Sequence, residues 1–205
     1  MEKIKKIFAH RIFKIFFWAF LILLALYIVI VIVRVFHFYN LDKTNAQVEK
    51  IHNTKLTMDD VLGTNLPPDP GAEADKTIAG IDANNNGIRD DVELAVFKEY
   101  PNSAKTRAVL LQYALLLQTE ATEPIINKDT ATSISEEDSR SYDCIGKIVP
   151  KSSNDIQKIE SYRKFIEDKQ LNTTERKNAK TNFDNKGGSF ELKSGCDVNL
   201  DLFSS

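Results

Sequence analysis

The sequence predicts a mostly α-helical protein in which one N-terminal transmembrane helix precedes a small helical domain with a pinned C-terminal tail. Three observations lead there. From Ile15 to Val33 the run IFFWAFLILLALYIVIVIV carries no charge and approaches the roughly 20 residues that a helix needs to cross a bilayer. Beyond Asp90, apolar residues recur at helical spacing in one segment after another. The chain has two cysteines, Cys144 and Cys196, an even count that reads as one disulfide in an oxidising compartment.

The residues around the apolar run orient it. Lys3, Lys5, Lys6, Arg11 and Lys14 precede it, while only Arg34 follows closely. Positive residues favour the cytoplasmic side, so residues 1–14 form a basic cytoplasmic segment, 15–36 the anchor, and the rest is exported. A cleaved signal peptide is the competing reading. Its apolar core would be shorter and would end in small residues, whereas this run ends in VRVFHFYN. The expectation is an uncleaved signal anchor in the inner (cytoplasmic) membrane, with the N-terminus inside and the C-terminal domain periplasmic or extracellular. Phe36, Phe38 and Tyr39 suit an aromatic belt at the outer interface.

Beyond Arg34 the chain holds 21 basic and 28 acidic residues, a formal charge of about −7 that disfavours nucleic acid as a partner. If the exported topology fails, two buried free thiols become the better reading of Cys144 and Cys196.

Residues 37–71 read as a stalk and linker. Asn40 to Lys55 is polar with sparse apolar positions, suited to a stalk or a frayed continuation of the anchor helix, and Pro67, Pro68, Pro70 and Gly71 then exclude regular helix. The extracytoplasmic helical domain is expected over 72–205. Its first helix runs from Asp90 to Tyr100, with acids in the first turn and Pro101 as its stop. A second, from about Ser103 to Thr119, is apolar around most of its circumference and belongs in the centre of a core. A third is expected from Glu136 to Val149, capped by Ser135 and closed by Pro150. A fourth, from about Asn154 to Lys169, has Ser152 or Ser153 as its cap and an apolar face of Ile156, Ile159, Tyr162 and Ile166. A peripheral fifth helix carries Ala179 and Phe183. A turn at Gly187–Gly188 and a short extended segment then return Cys196 to the core, where a bond to Cys144 would pin the tail.

One loop concentrates oxygen side chains. GIDANNNGIRDDVE, from Gly80 to Glu93, places Asp82, Asn84, Asn86, Asp90 and Glu93 at positions 1, 3, 5, 9 and 12 of a twelve-residue frame. Gly87 stands at 6 and the carbonyl of Ile88 at 7. The stretch resembles the EF-hand calcium loop and satisfies its pattern in full. The resemblance implies calcium (Ca²⁺) as cofactor, with a carboxylate from Asp82, amide oxygens from Asn84 and Asn86, a direct or water-mediated contact from Asp90 and bidentate binding by Glu93. It covers the loop and its exit helix only. The incoming helix is missing, Arg89 stands at position 8 where paired hands carry an aliphatic residue, and the chain has no second loop. It is more similar to the solitary dockerin-like or thrombospondin type 3-like loops, and NNNGIRDDVE is similar to a run in uncharacterised membrane-anchored, exported bacterial proteins. The competing reading is a polar turn whose aspartates cap the helix, but capping requires neither Gly87 nor Glu93.

The catalytic signals are weak. His10, His37 and His52 all precede the expected domain, so it holds no base for Ser-His-Asp or Cys-His chemistry and no imidazole for zinc. His52 is expected solvated in the stalk and His37 interfacial. Glu120, Glu123, Glu136, Glu137 and Asp138 could serve a two-carboxylate glycosidase, yet no motif pairs them and solvated helix ends explain them better. The expected function is a membrane-anchored binding or structural module of the cell envelope with a structural calcium ion and an envelope protein as partner. The alternative is a carboxylate-dependent glycan hydrolase.

Overall fold

The computed structural model describes residues 2–150 and 155–203, with side chains from residue 13 onward. The chain divides into two compact units, Met1–Ala46 and Gln47–Ser205.

Helix α1, Glu2–Asn53, runs for 52 residues, more than twice the roughly 20 that a bilayer core requires. From residue 13 onward, most of its large apolar side chains in the first unit, Phe16, Trp18, Leu23 and Phe36 among them, are exposed. A helix apolar on every side and packed on none has the character of a membrane span, and α1 is long and apolar enough to be one.

The second unit is built around α4, Ala104–Thr122. Every residue from Arg107 to Gln118 on it is buried, as expected for a helix apolar around its circumference. Around it pack α2 (Met58–Leu62), α3 (Asp90–Glu99), α5 (Lys128–Gly146), α6 (Asp155–Gln170) and α7 (Thr174–Asp184). No strand occurs among the described residues. Side-chain caps fix the helix starts: Ser103 Oγ accepts from Thr106 N at 3.2 Å, Thr57 from Asp60 N at 3.3 Å and Thr173 from Arg176 N at 3.3 Å. The Ser152 or Ser153 cap expected for α6 lies outside the described residues.

Two expectations are corrected. The segment expected as stalk and linker, 37–71, is divided between the units, and from Gln47 onward it belongs to the compact domain. Ile51, Leu56 and Val61 are core residues, and charged pairs hold the end of α1 to the helices behind it. Lys50 bonds Glu123, Lys55 bonds Glu137, and His52, expected solvated, places Nδ1 2.9 Å from Glu137 Oε1. The second correction is the start of α5, at Lys128 and not Glu136. Asn127 Oδ1 accepts from the N–H groups of Asp129 and Thr130 at 3.1 and 3.2 Å, a stronger cap than Ser135, whose hydroxyl bonds Ala131 O inside the helix.

Cys144 and Cys196 form a disulfide across 52 residues. It holds the tail on α5, where Asp197 N donates to Gln112 Oε1 at 2.9 Å and Val198 and Leu200 enter the core.

Candidate metal centre

The loop leading into α3 is shaped by backbone first. A short 3-10 turn, Gly71–Asp75, is clasped by Arg176 of α7, which is 1% exposed. Its guanidinium donates to the carbonyls of Ala74, Thr77 and Ile78 and to Asp75 Oδ1. Asn172 and Arg176 together hold the Asp75 carboxyl below its usual range. Gly87 then turns the loop with φ 84°, a left-handed backbone that favours glycine, and a Cβ there would press on Leu115 Cδ1 at 2.7 Å. Asn85 also takes a left-handed backbone, φ 57°, which asparagine tolerates.

Within that frame the polar side chains turn inward. Asp82 accepts from Asn86 N at 3.1 Å and from Gly87 N at 2.9 Å. Asn86 Oδ1 accepts from Ile88 N at 2.9 Å, and Ile88 is fully buried. Asp90 opens α3: its N–H donates to Ile81 O at 2.9 Å and its Oδ1 accepts from Ala83 N at 3.0 Å. Glu93, 1% exposed, accepts at Oε2 from Asn84 Nδ2 and Asn86 Nδ2, each at 3.1 Å. Asn84 Nδ2 also donates to Asn65 O at 3.0 Å.

The electrostatics of the loop are those of buried, underpaired acid. Burial pushes the Glu93 carboxyl up to about 7, against the two amide donors that favour its charged form. Burial likewise raises Asp90, opposed by the Ala83 N–H. Two oxygens, Asn84 Oδ1 and Asp90 Oδ2, are buried with no hydrogen-bond donor among the described residues. Such atoms are uncommon and call for a partner.

The six expected ligands therefore share one loop, and the five side chains among them divide into two sets. Asn84, Asn86 and Glu93 are joined by hydrogen bonds, whereas Asp82 and Asp90 bond backbone N–H groups. Among the described residues no group of three or more His, Cys, Asp and Glu side chains gathers to hold a metal ion, so Asp82, Asp90 and Glu93 do not form such a triad. With Asn84 and Asn86 presenting N–H to Glu93, the amides would have to turn for their oxygens to face an ion beside that carboxylate. The donor set still suits a hard cation: it is all oxygen, and two of its members are buried without donors. A cleft of about 720 Å³, lined by Asp82, Asn84, Asn86, Gly87, Thr54 and Gln118, gives the loop access from solvent.

Arg89 does not crowd the loop. Fully buried, it turns to the end of α6 and donates to Gln170 O at 3.1 Å and Lys169 O at 3.3 Å, with Asp91 as its counter-ion. Three positions went unmarked in the sequence: Asn65, whose carbonyl positions Asn84; Gln118, which donates to Ala79 O at 2.8 Å; and Arg176. Each of these contacts joins a side chain to a backbone carbonyl far along the chain, which leaves no trace in local spacing.

The acids weighed for glycoside chemistry are not solvated helix ends. Glu123 bonds Gln47 and Lys50, and Glu137 bonds Lys55, His52 and Arg140. Burial raises both Glu120 and Asp138. The Glu120 side chain is 1% exposed, with Lys180 Nζ 3.3 Å away, which closes it to a glycan.

In comparisons with known proteins, no protein-family model, curated protein or solved structure matches the chain.

Proposed function

We propose that this protein is a membrane-anchored, extracytoplasmic binding or structural module whose helical domain takes one calcium ion in the loop Asp82–Glu93. The observation that carries the calcium reading is the pair of buried, donorless oxygens, Asn84 Oδ1 and Asp90 Oδ2, in the same loop as the buried Glu93 carboxyl. A divalent cation would give those oxygens a partner and favour the ionised form of Glu93. In that arrangement Asp82, Asn84, Asn86, Asp90, Glu93 and the Ile88 carbonyl hold the ion. Its role is architectural: it ties residues 82–88 to the first turn of α3, and no bond-making chemistry is asked of it.

The exported orientation rests on the basic residues before the apolar run, and the disulfide agrees with an oxidising compartment. A solitary extracytoplasmic loop should bind in roughly the 10⁻⁴ to 10⁻³ M range.

The test is calcium titration of the unit Gln47–Ser205, followed by heat flow and melting temperature, beside an Asp82→Ala, Glu93→Ala variant. Saturable binding with a raised melting temperature in the parent alone supports the site. No response up to several millimolar calcium reduces the loop to a helix-capping turn.

A further inference from the structure

The loop before α3 holds a pair of residues with chemistry of its own. Asn86 precedes Gly87, the one Asn-Gly pair in the sequence. Asparagine is a thermolabile residue, and a following glycine, with no Cβ, leaves its backbone nitrogen free to approach the asparagine side chain. The reaction is deamidation. Gly87 N, its proton lost to water, attacks Asn86 Cγ; the bond from Cγ to Nδ2 breaks, and the amide leaves as ammonia with a proton taken from water. Water then opens the cyclic imide. Cleavage between Gly87 N and Cγ gives aspartate, and cleavage between Gly87 N and the main-chain carbonyl carbon of residue 86 gives isoaspartate. The cleft of about 720 Å³ that Asn86 and Gly87 line admits the water and lets the ammonia out.

Each reacting group is tied. Gly87 N donates to Asp82 Oδ2 at 2.9 Å, Asn86 Oδ1 accepts from Ile88 N at 2.9 Å, and Asn86 Nδ2 donates to Glu93 Oε2 at 3.1 Å. Asn86 N also donates to Asp82 Oδ1 at 3.1 Å. The tie on the nucleophile matters most. Attack requires Gly87 N stripped of its proton, and a carboxylate at hydrogen-bond distance both holds that proton and repels the charge its loss creates. Nδ2 must also come away from Glu93 before it leaves. The bonds that shape the loop therefore guard this pair.

We infer that Asn86 is a latent modification site: the closed loop holds it as asparagine, and opening of the loop converts it to aspartate or isoaspartate. Either product puts a carboxylate where an amide now donates to Glu93, and isoaspartate also lengthens the backbone by a methylene. The conversion runs one way, so the converted fraction records how long the loop has stood open. It goes beyond the calcium reading and does not rest on it. Where the loop takes calcium, as proposed above, aspartate at this position adds a fourth acid to Asp82, Asp90 and Glu93.

The test uses the full-length chain, its disulfide intact, in detergent micelles with a calcium chelator, and follows conversion by mass spectrometry of the peptide that spans Asn86. Asn102, which precedes Ser103 in an exposed turn, is the reference within the same molecule. Because the reaction waits on the release of hydrogen bonds, Asn86 should convert ~tenfold more slowly in folded protein than in the same chain in guanidinium chloride. Asp82→Ala removes the acceptor from Gly87 N and should raise the rate at Asn86 several-fold relative to Asn102. Equal rates in the folded and denatured parent would overturn the inference. So would an unchanged or lower ratio in Asp82→Ala, and a lower one would make Asp82 the base that drives the reaction. The comparison of folded and denatured parent needs no variant, so it decides even where Asp82→Ala does not fold. With calcium chelated in every sample, failure here is distinct from failure of the calcium titration.

Discussion

Arg89 Nη1 donates to Gln170 O at 3.1 Å, so the residue that precedes α3 closes the last turn of α6 from 81 positions away in the chain. The last carbonyls of a helix lack partners within it, and a cation there also meets the negative end of its dipole. Arg89 supplies both, from a fully buried position. Replacing it with Met should lower stability by about 2–4 kcal/mol, because the Lys169 and Gln170 carbonyls lose their donors inside the protein. Lys should not rescue it, since an ammonium cannot spread over two carbonyls and Asp91 as the planar fork does. Urea denaturation of parent, Arg89→Met and Arg89→Lys checks both points, and a Lys variant as stable as the parent would refute the fork argument.

Arg176 does for the approach to the loop what Arg89 does for its exit. It gathers the carbonyls of Ala74, Thr77 and Ile78, three residues of a segment that has little regular structure of its own. Arg176→Ala should cost about 2–4 kcal/mol and open residues 74–80 first. Hydrogen exchange reads this directly: the amide of Gly80, which donates to Thr77 Oγ1 at 3.0 Å, should lose its protection before those of α4.

These two arginines mark where the sequence stops being legible. The apolar run of α1, the all-round apolar α4 and the even cysteine pair each state a strong local signal, and each has its counterpart in the structure. The continuation of α1 to Asn53 does not, because the stretch from Asn40 is polar and its inward position, Ile51, is justified only by what packs on it. The first turns of α5, Lys-Asp-Thr-Ala-Thr-Ser, read as a poor helix, and it is the Asn127 cap and the burial of Thr130, Ala131 and Ile134 that make them one. In the loop, spacing named the oxygen residues, while the direction of each amide was not readable. That Asn84 and Asn86 turn N–H toward Glu93 follows from the burial of that carboxyl.

Glu120 gives the domain a pH dependence of definite sign. Its side chain is 1% exposed, and burial pushes its carboxyl from 4.5 up to about 8, with Lys180 opposing. The folded state therefore binds more protons than the unfolded one between those values, and stability falls as pH rises through that window. In metal-free protein Glu93, raised to about 7, acts in the same sense. Melting temperature should drop from pH 5 to pH 8.5. Glu120→Gln keeps the shape without the charge and leaves Lys180 its pairing with Asp184. It should flatten the curve and exceed the parent at pH 8.5 by about 1–3 kcal/mol, converging with it near pH 4. Parallel curves for parent and variant would show that Glu120 does not titrate in this range.

The disulfide should hold more than its own tail. Closing 52 residues stabilises by about 4 kcal/mol in the chain-entropy account. The residue after Cys196 extends the effect: Asp197, its side chain 3% exposed, accepts from Leu56 N at 3.1 Å and from Arg140, and so joins the tail to the segment just after α1. Cys144→Ser with Cys196→Ser should therefore lower the urea midpoint and loosen two regions separated by 141 positions, the tail beyond Gly195 and the chain around Leu56. Hydrogen exchange at the Leu56 amide decides between local and transmitted loss. Faster exchange there would establish that the tail helps to clamp the end of α1, whereas a change confined to residues 196–203 would mean that Arg140 and Gln112 keep Asp197 in place without the disulfide.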